Sequence, residues 1–430
     1  MDAALLPLEP DHRVRHPRAL FFLFLTGMWE VAALYGMRVV LVFHLTSDLG
    51  MPVAKAVEIF GLSTAASFIM SFAGGATADR LIGVRRAVVL GALLMMAGHL
   101  ALVRADMLYL SLGLIALGSG LFRPSLIASV WRLYGEADPR TSDALLRYKV
   151  GCNLGGIIGP IACGALYEMV GWGAAMTFSA AGMLVAAIIY VAGVKPAKVQ
   201  EPQPSLPSPP PYEARRLRPA ALAGAFTVFM GGSLHWVAAN QQGGTLAVFT
   251  FKEVARSAAI FGYQFTIPAG WFQAFNPLLI ILLAPFLSRA WARKPSHDPE
   301  RAEIVRMVEG SLLLAVSFAV LMLGVELSPP GRMAWMWLLL STIPLTLGEL
   351  LLDTMGQAYF CRHAPRRYLS TFLSLWLATS TAGYLGTAWL ADYWGKVSTA
   401  AFFGLSAAVA LASALTLSLV AFTNKKVPHE

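Results

Sequence analysis

Runs of about twenty apolar residues recur along this chain, and a helix of that length spans a hydrocarbon core roughly 30 Å thick. Twelve runs are read, at about 19–44, 54–77, 86–104, 107–133, 144–169, 173–194, 219–248, 262–290, 304–325, 333–358, 368–391 and 397–421. They set the expected fold class: an all-α membrane protein with twelve transmembrane helices. Of the 430 residues, 57% are hydrophobic and only 13% charged, too little charge for the surface of a soluble body of this size. Met1–Pro17 is polar and proline-marked, and the first run is long enough to stay as a span, so no cleaved leader is expected. Cys152, Cys163 and Cys361 fall in or at the ends of spans and are expected as free thiols.

Lysine and arginine set the orientation. With residues 1–18 placed in the cytoplasm, the segments on that side hold 23 Lys and Arg and those on the other side six. Both ends, including the tail 422–430, are therefore expected on the cytoplasmic face of the cell (inner) membrane. The formal net charge of +9 follows from this bias. The bases lie at membrane edges rather than in one patch, so the lipid bilayer is an expected partner and nucleic acid is not. Between Val194 and Pro219 runs EPQPSLPSPPPYEARRLRP, read as an extended cytoplasmic linker, 195–218. Six runs precede it and six follow. The chain thus divides into an N-terminal six-helix bundle (19–194) and a C-terminal six-helix bundle (219–421) around a central cavity. Two six-span halves describe the major facilitator architecture, with its substrate site near the midplane.

GGATADRLIGVRR, Gly74–Arg86, follows the second run. It resembles the facilitator loop pattern, in which Asp79 and Arg80 would cap helix ends and pair across the inner mouth, followed by the paired bases Arg85 and Arg86. The plainer reading is a charged turn obeying the orientation bias. Further segments occur in order: LYGMR (34–38), GSGLFRPSL (118–126), LYGEADPR (133–140), GCNLGG (151–156), HWVAANQ (235–241), WFQAFNPLLIILLAP (271–285) and LGELLLD (347–353). Together they resemble the proton-dependent oligopeptide transporter family of the major facilitator superfamily. Tyr35, Arg38, Asn153 and Glu349 match that family's pattern. Elsewhere the chain departs from it. The family's two first-helix glutamates fall on Gly27 and Glu30, and its arginine on Val31. Its helix-four lysine is Arg123, its helix-five Phe-Tyr is Tyr148-Lys149, its helix-seven glutamate is Asn240, and a helix-ten serine is Asp353.

Spacing gives a reading of its own. Glu30, Leu34 and Arg38 are four apart and share one helix face, and charges inside a membrane normally face the bundle interior or water. A cavity-facing stripe is expected, the alternative being that Glu30 and Arg38 tie helices together. Lys149 and Asn153 share a face in the same way, as do Glu349 and Asp353. Arg147 points elsewhere. The first half thus offers Arg38, Arg123 and Lys149, and the second offers Glu349 and Asp353. This polarity suits a zwitterion whose carboxylate meets the first half and whose amine meets the second; the same charges could also pair as gates. Tyr35, Trp236 and Trp376 are candidates to wall a side-chain pocket, and Asn153, Asn240 and Asn276 to bind a peptide-like backbone. Glu349 is the candidate proton carrier, with Asp353 and Glu30 next. The resemblance implies Arg123 as the partner of Glu349. His99 and His235 are read as ordinary packing.

No phosphate-cradling loop, zinc spacing or nucleophile elbow stands out, so no enzyme and no cofactor or metal is expected. The expected function is proton-coupled symport of di- or tripeptides, or of a peptide-like compound, by a monomer drawing on a gradient. The alternatives are an exporter of a drug or peptidic natural product, and a sensor that binds substrate without moving it.

Overall fold

The computed structural model describes residues 16–134, 140–194, 219–260, 263–293, 298–363 and 369–423. The first half contains α1 (Arg18–Phe43), α2 (Val53–Thr77), α3 (Val84–Ala101), α4 (Leu108–Trp131), α5 (Thr141–Met169) and α6 (Trp172–Gly193). The second contains α7 (Pro219–Ala239), the short α8 (Thr245–Glu253), α9 (Trp271–Arg293), α10 (Pro299–Glu326), α11 (Met336–His363), α12 (Leu369–Ala391) and α13 (Thr399–Thr423). Among the described residues, nine helices are long and apolar enough to cross a membrane. The other three long helices are α7, α9 and α12, of 21, 23 and 23 residues.

Two expected runs end differently. The run 219–248 breaks at Asn240, where a turn of 3-10 helix leads into Gly243 and Gly244 before α8 starts. Paired glycines lose the most backbone freedom in a helix, and they end it here. The run 262–290 becomes helical only at Trp271. Its first part is β3 (Tyr263–Thr266), which follows β1 (Val254–Ala255) and pairs antiparallel with β2 (Ser257–Ile260). Aromatic Tyr263 and Phe265 suit a strand, and Pro268 and Gly270 keep the helix from starting earlier.

The helices pack in a pattern that repeats. α1 lies against α5 and α6, α3 against α4 and α6, and α2 against α4. In the same way α7 lies against α12 and α13, α10 against α11 and α13, and α9 against α11. Contacts between the two sets run through α2 with α12 and α5 with α9. The tightest seam is α1 on α5. A Cβ at Gly155 or Gly159 would overlap the backbone oxygens of Met28 and Ala32. Small residues four apart are how membrane helices approach this closely. One end of the bundle is where α6 stops and α7 begins, here the linker end. The other carries β2 and β3, here the hairpin end. Arg85 donates to the last carbonyls of α6, at Val191 (3.1 Å) and Val194, a cation on a helix C-terminus. Asp79 pairs at 3.9 Å with Arg132 at the end of α4, both well exposed. Arg80 and Arg86 are exposed. The helix-capping expected of Asp79 and Arg80 thus falls to Arg85. Cys152, Cys163 and Cys361 are unbonded.

Candidate functional site

From Glu30 to Thr46 every residue of the first helix is buried except Tyr35, which is 42% exposed. α1 is surrounded by α2, α4, α5, α6 and α8, so the exposed ring opens into a space inside the bundle. Arg38 carries its guanidinium carbon 5.6 Å from the centre of that ring. It is 8% exposed, and its Nη2 has no hydrogen-bond partner. The expected cavity stripe is therefore shifted around the helix. Glu30 and Leu34 are each 1% exposed, and it is Tyr35, not they, that faces the space.

Glu30 is held from α4: Arg123 Nε donates to its Oε1 at 2.8 Å. This corrects the Arg123–Glu349 pairing that the resemblance implied. Tyr148 and Cys152 of α5 lie beside the same pair. Tyr148 also explains Gly27: a Cβ there would come within 2.6 Å of the tyrosine ring. The space of a first-helix glutamate is filled by that ring.

Across the space, Asn276 Nδ2 of α9 donates to Glu349 Oε2 at 2.7 Å. Asp353, one turn along α11, accepts from Trp376 Nε1 (3.0 Å) and Gln357 Nε2 (2.9 Å). All three donors are neutral, and no ion pair among the described residues includes either carboxylate. Trp376 is 1% exposed and packs on Phe360, so it positions Asp353 and does not wall a pocket. Trp236 is half-buried, edge-on to His235. Asn240 is buried with Nδ2 unpartnered. Lys149 is exposed, and Asn153 donates to its backbone carbonyl at 3.0 Å. His235 meets Ser311 at 3.2 Å inside the second set of helices, and His99 bonds the Met95 carbonyl. Both are fully buried, as packing groups are.

Sequence reasoning missed Tyr384 of α12. It lies close enough to Tyr35, Arg38, Arg123 and Glu349 to interact electrostatically with each, and so joins the two sides. The one signal was a hydroxyl-bearing ring within a membrane-length run that carries no charge.

The hairpin end is closed. Arg256 Nη1 donates to both carboxylate oxygens of Glu168 at 2.8 Å, and Glu168 Oε1 also accepts from Ala269 N at 2.7 Å. Phe43 stacks on Phe251 at 4.9 Å, with Tyr167 against both. Trp271 Nε1 donates to Ile161 O at 3.0 Å. These hydrogen bonds and this ion pair join α1–α6 to α7–α13 at this end.

Comparison with known proteins fits this geometry. The profile of the POT family of transporters matches residues 85–209 and 218–405. The chain belongs to the POT family. Within that family it is 26% identical to a di-/tripeptide transporter of Lactococcus lactis, over 94% of this chain and 95% of the relative. It is 28% identical to a peptide transporter of Yersinia enterocolitica over 86% of each. A crystal structure of a POT peptide transporter with alafosfalin superposes with a TM-score of 0.83 at 26% identity, covering 95% of each chain. A POT-family transporter bound to 5-aminolevulinic acid has the same fold, with a TM-score of 0.83 at 22% identity over 96% of this chain and 97% of that one. These POT proteins are transporters, and the family lies within the major facilitators.

Proposed function

We propose that this chain is a secondary transporter that carries di- or tripeptides, or a peptide-like zwitterion, together with protons by alternating access. It spans the cell membrane twelve times as two six-helix bundles, 19–194 and 219–421. The termini and the linker 195–218 lie in the cytoplasm. The repeated packing of the two sets of helices supports the division, and the relatives named peptide transporters support the substrate class. The bilayer and protons are its partners, and a monomer is sufficient for the cycle.

The observation that carries the reading is the opposed, unmatched charge about the internal space. Arg38 has a buried guanidinium nitrogen without a hydrogen-bond partner on one side, and Glu349 meets only an amide on the other. A substrate carboxylate satisfies Arg38, which Tyr35 holds from below, and a substrate amine or a proton satisfies Glu349. Tyr384, between them, aligns the bound ligand. Asn153, Asn240 and Asn276 supply donors and acceptors for an amide backbone. An ionised carboxylate without a cation beside it is costly inside a membrane, so Glu349 is the proton carrier, with Asp353 one turn away able to share that proton. Glu30 is committed to Arg123 and holds α1 to α4.

The test is dipeptide uptake into proteoliposomes with an imposed pH gradient, comparing the native chain with Glu349→Gln. Accumulation against the dipeptide gradient is expected for the native chain. The variant is expected to lose it while keeping exchange at equal pH. Gradient-driven accumulation that survives in the variant would remove Glu349 from the proton path.

A further inference from the structure

Lys149 and Asp353 stand on opposite sets of helices, and a residue further along each one's helix face, Gly156 and Glu349, meets the same point on α9. On α5, a Cβ at Gly156 would lie 3.4 Å from the ring of Pro277. On α11, Glu349 bonds the neighbouring Asn276. Lys149 lies seven residues before Gly156, two turns down the same face and about 10 Å nearer the linker end. Asp353 lies four residues after Glu349, about 6 Å nearer that end. The two side chains therefore start within about 4 Å of the same depth, on faces that both look past α9.

Neither charge is neutralised here. Lys149 is exposed, and no carboxylate among the described residues pairs with its ammonium. Asp353 is half-buried and has only the indole and amide donors. The other charges near this level are already matched: Arg123 is bound to Glu30, and Arg147, on another face of α5, to Asp143. The hairpin end is bolted by Glu168 and Arg256. Lone charges inside a membrane are tolerable where they meet water, and neither side chain is buried here. Closing the linker end expels the water, and charges enclosed without a partner are strongly destabilising.

We propose that Lys149 and Asp353 form the ion pair that seals the linker end of the cavity when the hairpin end opens. The proposal rests on the alternating-access reading above, and it makes both residues positioning groups of the cycle. Lys149 draws α5 towards α11, and Trp376 holds Asp353 aimed at it. Rupture of Glu168–Arg256 at one end is matched by formation of Lys149–Asp353 at the other.

Two measurements test the pair. In proteoliposomes, Lys149→Asp and Asp353→Lys are each expected to slow substrate exchange about tenfold, and the double swap to restore it to within about threefold of the native rate. In a chain whose three native cysteines are replaced by serine, Lys149→Cys with Asp353→Cys is expected to cross-link with copper phenanthroline. A reductant should release the link. The cross-link is read on a gel with no substrate added, so it is independent of which compound is carried. Failure of the native chain to take up any peptide would count against the proposed function and leave the cross-link readable. Absence of the cross-link, or a correctly inserted swap no more active than the single variants, overturns the pair.

Discussion

Arg38 is a buried cation with no direct carboxylate partner: Tyr35 lies against it, its Nη2 has no hydrogen-bond partner, and Glu30, the carboxylate near it, is bound to Arg123. A hydrogen bond from a charged donor contributes about 1.5–3 kcal/mol. Arg38→Gln is therefore expected to weaken binding of peptides with a free C-terminal carboxylate about tenfold or more, and to affect amidated peptides far less. Binding measured by thermal shift against both ligand sets checks this, and equal losses would place Arg38 outside the carboxylate site. The charged residues themselves were legible, because a charge in an apolar run is conspicuous. Their partners were not. Four-residue spacing fixes which residues share a face but not which way the face points: Glu30 is turned to Arg123, and Tyr35, expected as a pocket wall, is the exposed residue of this stretch. Glu30 finds Arg123 from 93 residues away, a relation no local pattern carries. Tyr148 filling the place beside Gly27 was equally hidden, since only packing shows which ring occupies a vacated volume.

Helices were the easiest feature to read, because run length alone decides whether a segment spans a bilayer. The exceptions lie where other rules compete. Tyr263–Thr266 is apolar enough to count towards a span yet pairs as a strand, and Gly243–Gly244 divides what reads as one run. The seam between α1 and α5 shows how the elements are fixed to one another. Gly155 has no room for a side chain above Met28. Gly155→Leu is expected to push the helices apart and destabilise the fold by about 1–3 kcal/mol, as overpacked sites do. A lowered unfolding temperature in detergent checks it. Gly113, which has open space around it, should tolerate the same change with little effect.

For the molecule as a whole, the closed hairpin end defines which half of the cycle is seen. Glu168 joins α5 to the segment leading into α9 through Arg256 and the Ala269 amide. Arg256→Gln leaves only the amide contact, and the hairpin end should open more readily. A cysteine placed at Thr250, buried beside the aromatic plug, is then expected to react faster with a membrane-impermeant thiol reagent applied from that side. An unchanged rate would show that the plug, not the ion pair, keeps the end shut.

The rigid α1–α5 seam has an electrical consequence. Arg38 and Lys149 ride on one body, and Glu349 and Asp353 on another. Arg123 and Glu30 cancel within the first. Three positive and three negative groups are thus carried within the two sets of helices, and their formal sum is zero. A membrane potential acts on net charge displaced through it, at about 2.3 kcal/mol per elementary charge per 100 mV. When the empty carrier returns with all six groups ionised, the field gains almost no purchase on it. Each proton taken up by a carboxylate adds one uncompensated positive charge. On the proposed proton-coupled cycle, voltage is expected to act on the loaded step and to leave the return step to thermal motion.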